Sequence, residues 1–182
     1  MLKIVVPGKQ EKWDERTEQF IISDAKDVTL RLEHSLISLS KWESKYHVPF
    51  LSSEKNDEQI LDYIRCMTLN PDVDDDVYSR LTMDNIIAIN NYIADPMTAT
   101  TVNDTHPGRK TNEIVTSELI YYWMIAYNIP SEFEKWHINR LIMLIRVCSA
   151  KAEGGKKMSK REVMQHNREL NAARKARLNT KG

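Results

Sequence analysis

Only two cysteines occur among the 182 residues, Cys66 and Cys148, and both fall inside apolar helical patterns. That usage reads as two buried free thiols in a reducing compartment, and it excludes a disulfide framework. Long apolar runs are missing as well: the longest covers residues 119–126, far short of a membrane span. The start, MLKIVVPGKQEKWDE, lacks the apolar stretch of a secretory signal, so a soluble, intracellular chain is expected. The vocabulary of catalysis is also absent. There is no HExxH, no CxxC, no glycine-rich phosphate loop and no GxSxG elbow, and neither cysteine has a nucleophile-like setting. His34, His47, His106, His137 and His166 never pair at metal-ligand spacing with one another or with a cysteine. Asp72, Asp74, Asp75 and Asp76 would begin a calcium loop only with glycine at its sixth position and glutamate at its twelfth. Those places hold Val77 and Met83, so an acidic turn capping the next helix is expected. The sequence asks for no cofactor and no metal. An enzyme is the last reading it supports.

Net charge is zero, but its distribution is not even. From residue 151 onward ten cations face three acids, a net of +7. Residues 1–150 then hold 16 cations and 23 acids, a net of −7. An acidic body with a basic tail points to a partner for the tail.

The densest apolar content lies in residues 111–148, TNEIVTSELIYYWMIAYNIPSEFEKWHINRLIMLIRVC. Its pattern predicts a helical hairpin. The first helix, over residues 113–128, is apolar on nearly every face, as a helix buried among neighbours would be. Pro130 breaks it, because a residue before proline is pushed out of the helical region. Ser131 then restarts the chain, with Glu134 placed for a capping box, and the second helix runs over residues 132–149. Trp42, Trp123 and Trp136 read as core anchors. Arg140 reads as part of a solvent-facing stripe on a helix edge, or as placed to pair with Glu134 or Glu118 or to face a partner.

Around that hairpin the expected architecture is mainly α, a helical bundle with a small N-terminal β-hairpin or sheet and a basic helical tail. Residues 1–33 form the β element, 34–150 the α-helical core domain and 151–182 the tail. Strands are predicted over residues 2–6, 19–22 and 28–32. A helix beginning near Ser35 carries Leu36, Leu39, Trp42 and Tyr46 on one face and stops before Pro49. An amphipathic helix over residues 57–67 buries Ile60, Leu61, Ile64 and Met67. One helical turn is expected over 77–81. Thr82 caps a further helix with Ile86, Ile87, Ile89, Asn90 and Ile93 toward the core. Residues 95–110 form a long polar loop, of the kind that is usually functional or mobile. Residues 151–157 (KAEGGKK) read as a flexible linker, and Ser159 with Glu162 as a second capping box before a polar helix reaching about Leu178.

Several segments together carry a resemblance. They are HSLISLSKWESKYHVPFL (34–51), DYIRCMT (62–68), PMTATT (96–101), SELIYYWMIAYNIP (117–130), EKWHINRLIMLIRVC (134–148), and KKMSKRE with LNAARKAR in the tail. The chain resembles the tail assembly chaperones of tailed bacteriophages, encoded near the tape measure protein. The resemblance covers most of the chain beyond about residue 28 and names no catalytic or ligand site. It implies a non-enzymatic role in the host cytoplasm. The partner would be the tape measure protein, with the tail tube protein as a second candidate, and a homo-oligomer is compatible with it. It also implies that a longer product can arise by frameshifting, for which Gly155-Lys156-Lys157 offers a compatible site.

With that role, the apolar hairpin would offer a groove to a partner helix and the tail a loose cationic arm. The residues placed at the recognition surface are Trp123, Tyr127, Trp136 and Arg140. Those of the arm are Lys156, Lys157, Lys160, Arg161, Arg174, Lys175 and Arg177. Two other classes compete. One is a structural virion protein, a head–tail connector or tail completion subunit. The other is a small nucleic-acid-binding regulator using the basic tail, which lacks interleaved aromatics for base stacking.

Overall fold

The computed structural model describes residues 1–8, 11–16, 18–22, 25–101, 113–154 and 160–178. It is mainly helical, with seven α-helices and an N-terminal antiparallel β element among those residues. Strand β1 (Leu2–Val6) pairs with β4 (Val28–Leu32), Leu2 opposite Leu32 and Val6 opposite Val28. Between them in sequence, β2 (Glu11–Asp14) and β3 (Gln19–Ile22) form a second antiparallel pair. Strand β2 was not expected: Glu11-Lys12-Trp13-Asp14 has too little alternation to announce itself, and only its pairing with β3 defines it. In the β1–β4 ladder the period-two alternation buries Ile4, Val6, Leu30 and Leu32 on one face. Gly8 follows β1 where a Cβ would collide with the Ala25 carbonyl oxygen, so the close approach requires glycine.

Both margins of this ladder are bonded. On the β4 side, Leu69 N–H donates to Arg31 O at 2.8 Å and Glu33 N–H to Met67 O at 2.9 Å. The Asn70 carboxamide accepts from Arg31 N–H (2.7 Å) and donates to Thr29 O (3.0 Å). On the β1 side, Asn85 donates to Val5 O and Arg80 to Pro7 O.

Each helix of the first half begins at a residue suited to capping. Helix α1 (Leu36–Tyr46) has Ser35 with Ser38, and α2 (Asp57–Met67) has Asn56 with Gln59, both as reciprocal boxes. Asp74 caps the short α3 (Asp75–Ser79), two residues earlier than the predicted turn. Thr82 and Asn85 form the box of α4 (Met83–Ala94). Burial departs from expectation at three positions. Ile60, Ile87 and Asn90 lie outside the core, while Tyr63 and Tyr92 take the inward places. Of the long polar loop, residues 102–112 lie outside the described residues.

The hairpin differs more. Helix α5 is shorter than predicted, Ser117–Ala126, because Thr116 caps it by accepting from Leu119 N–H. Residues 131–135 form a 3-10 helix (Ser131–Lys135) with Pro130 at its cap position, and the Ser131 side chain makes no capping bond. Helix α6 starts only at Ile138 and runs to Gly154. Its start is set by a tertiary bond: Ile138 N–H donates to His34 O at 2.7 Å, so His137 pairs with Ser35 in extended form. Residues 151–154, expected to be linker, continue α6. Helix α7 covers Lys160–Leu178, and the capping box expected at Ser159 falls outside the described residues.

The chain divides into two units, Met1–Arg146 and Val147–Gly182. In the first, Leu30 and Leu32 share one core with Leu36, Leu39, Ile64, Met67, Ile89, Ile120, Ile138 and Leu141. A row of rings crosses that core. Trp42 meets Phe50 edge-on (5.1 Å), Phe50 lies on Tyr63 (4.0 Å), and Tyr63 meets His34 edge-on (5.7 Å). His34 then meets His137 (5.0 Å), which meets Tyr92 (4.9 Å), both edge-to-face. Trp42 is thus the core anchor expected of it, with its indole N–H donating to Gln59 O. In the second unit, the described side chains of α7, among them Met164 and Leu170, are exposed.

Candidate protein-binding surface

Helix α5 was expected to be apolar and buried all round. It is buried on one side only: Ile120 and Met124 enter the core, Tyr121 and Trp123 flank them, and Tyr122 and Ile125 are 63% and 76% exposed. Glu118, Tyr122 and Ile125 follow i, i+4, i+7 spacing, so they form one outward stripe. Ile114, just before the helix, is 60% exposed. The Glu118 carboxyl is held below its usual range chiefly by its own backbone N–H, with help from the Thr116 hydroxyl at the helix start.

The 3-10 helix is tied to α5 by the Tyr121 hydroxyl, which donates to Glu134 Oε2 at 3.0 Å. Burial first and the Glu134 bond second push that phenol up to about 12. Glu134 is therefore engaged, and it forms no ion pair with Arg140. Arg140 instead lies over the Trp136 ring, with Cζ 3.9 Å from its centre, and Phe133 stacks on the same ring at 3.9 Å and 15°. Two groups that close to one ring centre must take opposite faces, so Trp136 is sandwiched. Trp136 is half-buried and Arg140 exposed.

Trp123 and Tyr127 are both half-buried against the core, as is Ile129 beyond them. They are less available to a partner than Tyr122 and Ile125, which the sequence reading assigned to the interior or passed over. In the tail, Arg161, Arg174 and Lys175 are exposed along α7, and Lys160 and Arg177 belong to the same helix. Lys156 and Lys157 lie outside the described residues.

Elsewhere a shallow groove of about 230 Å³ lies between Met1, Glu33, the start of α1 and the end of α2, with Lys41 and Lys135 at its margin. The buried polar groups are committed to structure. His137 Nε2–H donates to Tyr92 O (2.9 Å) and its Nδ1 accepts from Asn139 N–H (3.3 Å), while His34 Nδ1 bonds the Tyr63 hydroxyl (2.5 Å). Burial, then the neighbouring His137, lowers His34 to about 3, and burial lowers His137 as well. Both imidazoles are thus neutral packing elements at neutral pH. Among the described residues, no group of three His, Cys, Asp or Glu side chains is placed to hold a metal ion, and no helix is long and apolar enough to cross a membrane. The chain matches no family model, no curated protein and no solved structure.

Proposed function

We propose that the chain is a non-catalytic tail assembly chaperone of a tailed bacteriophage, acting in the host cytoplasm and binding the tape measure protein while tail tube subunits assemble around it. The observation that carries a protein-binding role is the outward pair Tyr122 and Ile125 on α5, a helix whose opposite side is anchored in the core. Large side chains held on a rigid helix lose little entropy when they are covered, which suits a surface that takes a partner helix. The particular partner rests on the resemblance of residues 34–51, 62–68, 96–101, 117–130, 134–148 and the tail segments to that family.

The test is purification of the tagged chain from phage-infected cells, with and without nuclease, and identification of what accompanies it. Recovery of the tape measure protein irrespective of nuclease supports the reading. Recovery of connector or tube proteins, with the chain present in finished particles, overturns it in favour of a virion component.

A nucleic-acid-binding role is the second reading. It is favoured by Arg161, Arg168, Arg174 and Lys175, all exposed on α7. It requires binding to an oligonucleotide that weakens steeply as salt rises.

A further inference from the structure

Among the described residues, no carboxylate pairs with Arg140, which is held by a ring instead. Its guanidinium is laid on Trp136 at 3.9 Å, and Trp136 is backed by Phe133 at the same distance. The backbone beneath is pinned, since the neighbouring Asn139 side chain donates to both Ile93 O and Asp95 O. The nearest carboxylate along the chain, Glu134, accepts from Tyr121. Among the described residues the ion pairs join other groups, so the Arg140 fork keeps its donors for solvent. An arginine held against an aromatic ring has already lost much of its rotamer freedom, and the N–H groups of a guanidinium can bind a carboxylate bidentately. Arginine and tryptophan in one cluster are also the residue types that dominate interface energetics.

We propose that Arg140 is a docking residue for a single Glu or Asp side chain of a partner protein, received by the guanidinium edge that the Trp136–Phe133 stack leaves open. This rests on the protein-binding reading above and specifies its chemistry. A single carboxylate is favoured over the phosphates of a nucleic acid, because the net charge of −7 on residues 1–150 repels a polyanion more strongly than one isolated negative charge.

The test follows the Arg Nε–H resonances of the isotope-labelled full chain while Ac-Ala-Glu-Ala-NH2, its glutamine counterpart or inorganic phosphate is added. Arg146, exposed on the same helix, is the internal control. The expected result is a saturable shift at Arg140 with the glutamate peptide, about tenfold tighter than at Arg146 and absent with the glutamine counterpart. Equal responses at the two arginines, or preference for phosphate, overturn the proposal. In parallel, Arg140→Gln and Arg146→Gln are used as bait in infected cells, after their thermal midpoints are matched to the parent. Capture lowered about tenfold by Arg140→Gln alone supports docking. Undiminished capture by Arg140→Gln overturns it and leaves the chaperone reading standing. If the parent chain itself captures nothing, the chaperone reading falls, and the peptide titration alone decides for or against the carboxylate site.

Discussion

The Glu43 carboxylate of α1 accepts the Ser117 backbone N–H at 2.7 Å across 74 residues of sequence, at the first position of α5. Its other oxygen accepts Phe50 N–H at 2.8 Å. One buried carboxylate thus serves two orphan donors and places its charge at a helix N-terminus, where the backbone dipole favours it. The orientation of α5, and with it the outward stripe, depends on this side chain.

Replacing Glu43 by alanine leaves two buried N–H groups without acceptors and is expected to cost about 3 kcal/mol. Glu43→Gln keeps one acceptor and turns an amide toward the other donor, so its cost falls between that and zero. Urea unfolding measures both. An alanine variant as stable as the parent would show that water replaces the carboxylate.

Acid should destabilise the fold through the histidines. His34 and His137 both lie below their ordinary values when folded, so the unfolded chain binds protons more readily than the native one. Their contribution is complete above about pH 6.5, the ordinary histidine value, and is lost as pH falls from there toward the folded value. For His34, at about 3 when folded, the loss by pH 5 is about 2 kcal/mol. Urea midpoints at pH 7.5 and 5.0 test this. In His34→Phe the difference between them should shrink, and an unchanged difference rejects the assignment.

Tyr122→Ser with Ile125→Ser removes apolar surface that touches little of the core. Stability should change by about 0.5 kcal/mol or less, while capture of the partner falls about tenfold. Loss of stability together with capture would mean that these side chains serve the fold.

Asn70→Ala deletes two bonds to β4 at a half-exposed position, for an expected cost of about 1 kcal/mol. Amide exchange at Arg31 should accelerate, because its N–H loses its acceptor. Protection at Arg31 equal to the parent would contradict the pairing.

Elements whose ends are set locally could be read from the sequence. Strands β1 and β4 and helix α2 have the predicted bounds, α1 begins next to Ser35 as predicted, and α4 begins at the predicted cap Thr82. The hairpin could not be read so closely, because its boundaries are set at a distance. Glu43 joins the local cap Thr116 in fixing where α5 begins, and His34 fixes where α6 begins. The pairing of His34 with His137 is invisible to any spacing rule, since residues far apart in sequence meet only after folding. At the candidate surface, Trp136 and Arg140 were both assigned to the recognition surface, but their stack with Phe133 was not foreseen. Tyr122 and Ile125 were missed because high apolar content was equated with complete burial.

The bonded margins of the β1–β4 ladder have a further consequence. An open strand edge is a template on which an extended segment of any other chain can grow, and repeated addition leads to insoluble aggregates. Here Asn70 and residues 67–69 occupy one margin, and the side chains of Arg80 and Asn85 cap carbonyls on the other. This ladder therefore offers little purchase to a newly made, unpaired polypeptide.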